Sequence, residues 1–201
     1  MQIGFRQAKT TPTITQEQRL GWLKGLLTGD IDTLPCGVAG TLLLLHAQPL
    51  TKIAALQTTA VARVDGETRI GLAKEPVPVP EPFASQLNYH LHNRPNLRTT
   101  GGTIGTPWLF PTTRPGRHLD PQSIMKRLRS LGIDLLGSRN TALQKLASEV
   151  PAPLVAEMLG YSYQVTQRHA ALAGTNWANY ATSRNVANSR RETDPGPLLG
   201  S

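Results

Sequence analysis

Residues 155–174 read VAEMLGYSYQVTQRHAALAG. Apolar residues at 155, 156 and 159 recur with helical spacing, and Gly160 supplies a position that tolerates left-handed backbone. A second helical run begins beyond it. The stretch therefore predicts two short helices about a tight turn, with Val155, Ala156 and Leu159 packing the first and Val165 anchoring the second. Gln164, Gln167 and Arg168 are left on the outer side, where they suit hydrogen bonds to a nucleic-acid groove or its phosphates. What precedes this pair of helices decides what the pair means.

Immediately upstream, Pro151 separates two helices expected at roughly 140–149 and 152–159. Before them, Asp120-Pro121 gives an N-cap followed by a proline at the first helical position. The helix it starts runs through SIMKRLRSL to Gly132. Ile124, Leu128 and Leu131 form its buried stripe, leaving Lys126, Arg127 and Arg129 outward.

At the other end of the chain, Thr15 and Gln18 hold capping-box positions for a helix ending at Gly29, with Leu20, Leu23 and Leu27 on its apolar face. VAGTLLLLHA (38–47) lies in a second helix over 36–47, apolar almost all round and therefore buried. Pro49 interrupts before a short third helix, LTKIAALQT. The period then changes. AVARV and ETRIGL flank Asp65-Gly66, a strong hairpin signal, and PVPVP (76–80) can add only an edge strand because its prolines lack N–H donors. Pro82 opens a helix carrying Phe83, Leu87 and Leu91 on one face. Residues 94–118 read as loop apart from WLFP (108–111), and a last helix is expected over about 163–172. The expected fold class is α+β, mostly α, with a small antiparallel β-sheet inserted among helices.

The bulk numbers narrow the function classes. A chain of 201 residues suits one domain with an appendage. Apolar runs are too short to span a bilayer, and the N-terminus has no apolar core of a secretory signal. A single cysteine, Cys36, rules out a disulfide framework and a cysteine-rich zinc site, so the cytoplasm is the expected compartment and no membrane partner is expected. The net charge of +8 is lopsided. Residues 111–191 hold 11 basic and 4 acidic residues, a surplus of 7, against 10 and 9 elsewhere. Such asymmetry points to a polyanion-facing half.

Other chemistry is weakly represented. TTGGTIGT (99–106) lacks the Gly-Lys-Ser/Thr ending of a phosphate loop. His90 and His92 point about 200° apart on a helix, with no acid or cysteine to complete a metal set. No cofactor or metal is expected.

The order of segments carries more weight than any one of them. A capped helix, TLLLLHAQPLTKIAAL, a hairpin with PVPVP, WLFP, HLDPQSIMKRLRSLGI and RNTALQKLASEVPAPLVAEMLGYS succeed one another. This succession resembles the catalytic domain of the tyrosine recombinase (phage integrase) family over roughly residues 12–181, without the separate N-terminal DNA-clamping domain. Residues 182–201 read as a polar tail, which the resemblance would dock on a neighbouring copy. The resemblance implies a tyrosine that attacks a DNA phosphodiester, two arginines and a histidine that stabilise the phosphate, and a hairpin lysine acting as acid.

Position by position, the resemblance is incomplete. Where the family has G-L-R-x-S-E this chain has AQPLTK, placing Pro49 at the first arginine. Lys74 stands for the hairpin lysine. In the second box Arg139 matches, in Arg139-Asn140-Thr141, but Leu136 occupies the preceding histidine position. Tyr161 replaces the histidine of LGH, and His169 falls at or beside the nucleophile; Tyr163 comes too early and Tyr180 about ten residues late.

The expectation is a DNA-binding protein of recombinase descent that has lost cleavage. It would contact double-stranded DNA through Lys126, Arg127, Arg129, Arg139, Gln164, Gln167 and Arg168, with a recombinase or a second copy as partner. Three other readings remain open: an active strand-exchange enzyme using Tyr180 or His169 with Arg139 and Lys74, a helix-turn-helix transcription factor, and a truncated remnant without a role.

Overall fold

The computed structural model describes residues 14–29, 33–94, 106–112, 114 and 116–174. Helix α1 (Gln16–Thr28) is capped as its sequence predicts. The Thr15 hydroxyl accepts from the Gln18 backbone N–H, the Gln18 side chain accepts from the Thr15 N–H, and Gly29 closes the helix at φ 76°. Its buried face differs from the expected one: Arg19, Leu23 and Leu26 turn inward while Leu20 is exposed. Arg19 can sit there because its Nε and Nη2 both donate to the Leu44 carbonyl, at 3.0 and 2.8 Å. A buried guanidinium satisfied by a backbone carbonyl thus takes a place that the sequence pattern gives to a leucine.

Helix α2 (Leu34–His46) is the hub, touching α1, α3 (Leu50–Ala54), α4 (Phe83–His92), α5 (Pro121–Ser130) and α6 (Leu135–Glu149). Gly40 permits this crowding: a Cβ there would stand 2.8 Å from Leu26 Cδ1 and 3.0 Å from Leu128 Cδ2. Around α2 the main core gathers Leu26, Leu42, Leu44, Phe83, Leu87 and Leu128. Helix α3 is shorter than expected and gives way to a 3-10 turn, Thr58–Ala60.

The sheet has the order β1-β2-β3, from β1 (Val61–Val64), β2 (Glu67–Gly71) and β3 (Pro76–Pro78), all antiparallel. Asp65 (φ 51°) and Gly66 (φ 82°) form the two-residue turn with both residues left-handed, so Val64 pairs with Glu67. Ile70, paired with Val61 on one side and Val77 on the other, carries the buried face. The WLFP segment is pinned by Arg94, whose Nη1 donates to the carbonyls of Thr106 and Trp108. Leu109 and Phe110 enter the core, and buried His90 hydrogen-bonds the Leu109 carbonyl at 2.9 Å.

Helix α6 begins earlier than its sequence suggests. The Gly137-Ser138 pair reads as loop, yet the Asp134 carboxylate accepts from the N–H groups of Leu136 and Gly137 and starts the helix there. Helix α7 (Ala152–Leu159) and a helix over 163–174, α8, follow. Ala47, Ala142, Leu143, Val155 and Leu159 form a second apolar cluster under α6 and α7. No helix among the described residues is long and apolar enough to cross a membrane. Residues 99–105, Tyr180 and the tail over 182–201 lie outside the described residues.

Two predictions follow from this packing. Leu42→Ala removes a fully buried side chain from the hub helix and should cost about 2–5 kcal/mol in urea denaturation with an unchanged slope. His46, buried at the end of α2, has its pKa lowered from 6.5 to about 4, by burial first and by Arg19 second. The unfolded chain then binds a proton that the folded one refuses. Stability should therefore fall as pH drops from about 6.5 towards about 4, by about 3 kcal/mol for this group, and His46→Gln should flatten that part of the profile.

Candidate phosphate-facing site at the end of α7

The corner between α2 and α3 meets the C-terminal end of α7. The last carbonyls of a helix lack partners inside it. Here the corner supplies them. Gln48 Nε2 donates to the Leu159 carbonyl at 3.0 Å, and Lys52 Nζ donates to that of Gly160 at 3.2 Å. In the opposite direction the Tyr161 hydroxyl donates to the Ala47 carbonyl. Ala47 is left-handed, φ 55°, which turns its carbonyl towards the tyrosine and starts the sharp exit from α2. Gly160, at φ 70°, is exposed but crowded on one side: a Cβ there would stand 3.0 Å from Lys52 Nζ and 3.2 Å from Ala73 Cβ, in the turn joining β2 and β3.

Against this seam lie the charged groups. Arg139, half-buried on α6, acts electrostatically on both Tyr161 and His169. Burial pushes the Tyr161 phenol up, and Arg139 partly opposes it. Burial pulls the His169 imidazole down, and Arg139 and then Arg168 pull it further. His169 is therefore neutral at neutral pH. It is 3% exposed, and its Nδ1 has no hydrogen-bond partner among the described residues. Arg139 thus sets a positive charge within electrostatic reach of the largely buried Tyr161 phenol and the buried, neutral His169 imidazole.

The sequence-derived candidates are placed unevenly. Arg139 acts electrostatically on His169 and on Tyr161. Lys74 is exposed in the turn between β2 and β3, next to Ala73, with no recorded contact to Arg139 or His169. Pro49, at the place expected for the first arginine, N-caps α3, its carbonyl accepting from Lys52 N at 2.9 Å and Ile53 N at 3.0 Å. Leu136, at the expected histidine, is an exposed leucine near the start of α6. Gln164, Gln167 and Arg168 are exposed on α8, and Lys126, Arg127 and Arg129 on α5. Val165 is not an anchor. It is exposed, because Thr166, His169 and Ala173 form the inward stripe of α8 and Val165 lies one position off it. Thr166 tolerates complete burial by donating its hydroxyl to the Tyr163 carbonyl at 3.1 Å. The residues that sequence reasoning missed are Gln48 and Lys52. Their signal was two polar residues next to Pro49, directly after a buried helix.

Among solved structures, the chain is similar to that of a XerA recombinase, with a TM-score of 0.63 and 15% sequence identity over 90% of this chain. The match spans 66% of that protein's length. This shows the fold: mostly helical with a small antiparallel sheet, like that of a recombinase. No protein-family model and no curated protein matches the sequence.

The seam makes a graded prediction. Gly160→Ala forces a left-handed alanine against Lys52 and should cost about 1–3 kcal/mol, whereas Lys52→Met, on an exposed side chain, should cost less than about 1 kcal/mol. Urea denaturation of the two variants checks the order.

Proposed function

We propose that this chain is a DNA-binding domain of the tyrosine recombinase kind that grips a DNA phosphate without cleaving the strand. The observation that carries the reading is that Arg139 lies within electrostatic reach of His169 and Tyr161, in a fold like that of a recombinase. A phosphodiester oxygen beside a half-buried guanidinium gains a charge-assisted hydrogen bond, strengthened where water is partly excluded. Cleavage needs more than a grip. It requires an exposed nucleophile, a second cation for the charge that develops on phosphorus, and an acid for the leaving oxygen. His169, at the nucleophile's place, is buried, and Pro49 has no charge to offer at the place of the first arginine. Losing one preorganised donor of this type costs about 10²–10³ in rate.

The exposed cations of α5 and the polar outer face of α8 supply the remaining contacts to double-stranded DNA in this reading. Lys126, Arg127, Arg129 and Arg168 bind phosphates. Gln164 and Gln167 reach into a groove, and a recombinase or a second copy of the chain is the partner on the same duplex. The +7 balance of residues 111–191 supports that orientation.

The test is a nicked suicide duplex, read twice. On a native gel the protein should retain DNA, and Arg139→Ala should weaken retention about ten-fold. Arg129→Ala and Arg168→Ala should each flatten the dependence of log affinity on log salt by about 0.9. On a denaturing gel no covalent adduct should appear. An adduct abolished by His169→Ala or Tyr180→Phe would establish cleavage and overturn the non-cutting part. A protein with no affinity for DNA would overturn the whole reading.

A further inference from the structure

A second recess lies away from the charged cluster just described and owes nothing to the DNA reading. A groove of about 1130 Å³ opens between the end of α2, the face of β3, helix α4 and the ends of α6 and α7. Its walls are apolar, among them Leu45, Val77, Val79, Ala84, Leu146 and Met158. Charged residues share the lining, Arg63, Glu67, Glu81, Lys145 and Glu149 among them, and its buried ionisable groups are Arg19 and His46. Both are buried, at 6% exposure each. His46 Nε2 has no hydrogen-bond partner. Arg19 makes no ion pair among the described residues. Its Nε and one Nη2 proton are used on the Leu44 carbonyl, and Nη1 reaches only Gln16 Oε1 at 3.5 Å, leaving donors unspent. A buried cation with spare donors beside an imidazole nitrogen with no partner is an incomplete arrangement unless something fills it.

We propose that this groove binds a small amphipathic carboxylate, with its anionic head on Arg19 and His46 and its hydrocarbon body along the apolar walls. Charge complementarity selects the head. Guanidinium and carboxylate match through paired N–H···O bonds, and a neutral imidazole in its Nε2–H tautomer donates to the same head. The acidic residues of the lining already have partners. Glu149 pairs with Lys145 at 2.7 Å, Glu81 accepts from Ser85 Oγ at 2.8 Å, and Glu67 pairs with Arg69 at 3.6 Å. Glu149 is close enough to Arg19 to act on it electrostatically, so the site favours a single negative charge over a polyanion. The walls decide against a peptide strand: β3, the sheet's free edge, is Pro-Val-Pro, and its prolines have no N–H for a main-chain ladder. The volume lies a little above the range of about 300–1,000 Å³ for small-molecule sites, so the ligand would fill part of the groove.

The experiment uses the full chain labelled with ¹⁵N and titrated with sodium octanoate, octan-1-ol serving as the same body without the charge. Octanoate should shift the amide signals of Leu45, Ala84, Leu146 and Met158, and octanol should bind at least about ten-fold more weakly for want of the ion-paired head. Arg19→Gln should remove that difference. Because this change falls in the core, Ser85→Trp, at the exposed mouth, serves as a second variant that leaves the core intact and should block octanoate by bulk. Equal binding of octanol and octanoate, shifts confined to residues outside the groove, or no shift at millimolar octanoate would each overturn the proposal. The last outcome would leave the groove to a larger occupant, a protein helix among them.

Discussion

The end of α7 is held by hydrogen bonds from residues more than a hundred positions away. Gln48 and Lys52 complete its last carbonyls, and Tyr161 returns a bond to Ala47. Without them the second apolar cluster, around Ala142, Leu143, Val155 and Leu159, would be joined to the α2 core chiefly through α6. The seam also fixes where α8 starts, because Gly160 is left-handed and crowded on one side by Lys52 and Ala73. The corner at residue 47 thus helps to fix the turn from which α8, the helix of His169, sets out.

Much of this architecture is legible in the sequence, because its punctuation is local. The capping box at Thr15, the Asp65-Gly66 turn, the Pro-Val-Pro edge strand and the Asp120-Pro121 helix start each depend on groups within a few residues of one another. What the sequence hides is decided by distant groups. Arg19 lies outside the apolar face expected of Leu20, Leu23 and Leu27 and is buried, because the carbonyl that satisfies it belongs to Leu44 on another helix. Val165 reads as an anchor and is exposed, because Thr166 satisfies its own hydroxyl and takes the inward place. Of the candidate site, Arg139 and His169 are visible through the resemblance to recombinases. Lys52 and Gln48 are not, since their role is set by the end of a helix that follows a hundred residues later.

Pro49, Tyr161 and His169 are well integrated into the packing. The Pro49 carbonyl starts α3, Tyr161 bonds across to Ala47, and His169 belongs to the inward stripe of α8. Pro49 and Tyr161 therefore have backbone partners of their own, and His169 is held by burial. Three of the buried imidazoles, His46, His90 and His169, are also biased towards their neutral form, burial being the first cause in each. The interior tolerates polar rings mainly by keeping them uncharged.

The span of the seam has a consequence for the order of assembly. The three bonds joining residues 47–52 to residues 159–161 bridge 108 to 114 positions. During synthesis at about 5–20 residues per second, the corner at Ala47 leaves the ribosome on the order of ten seconds before its partners exist. The leucines of α1 and α2 can associate in that interval, and the left-handed turn at Ala47 cannot yet be held by Tyr161. A nascent chain of this fold passes through a stage in which α2 is sheltered on one side only, and a chaperone that recognises apolar helices would meet it there.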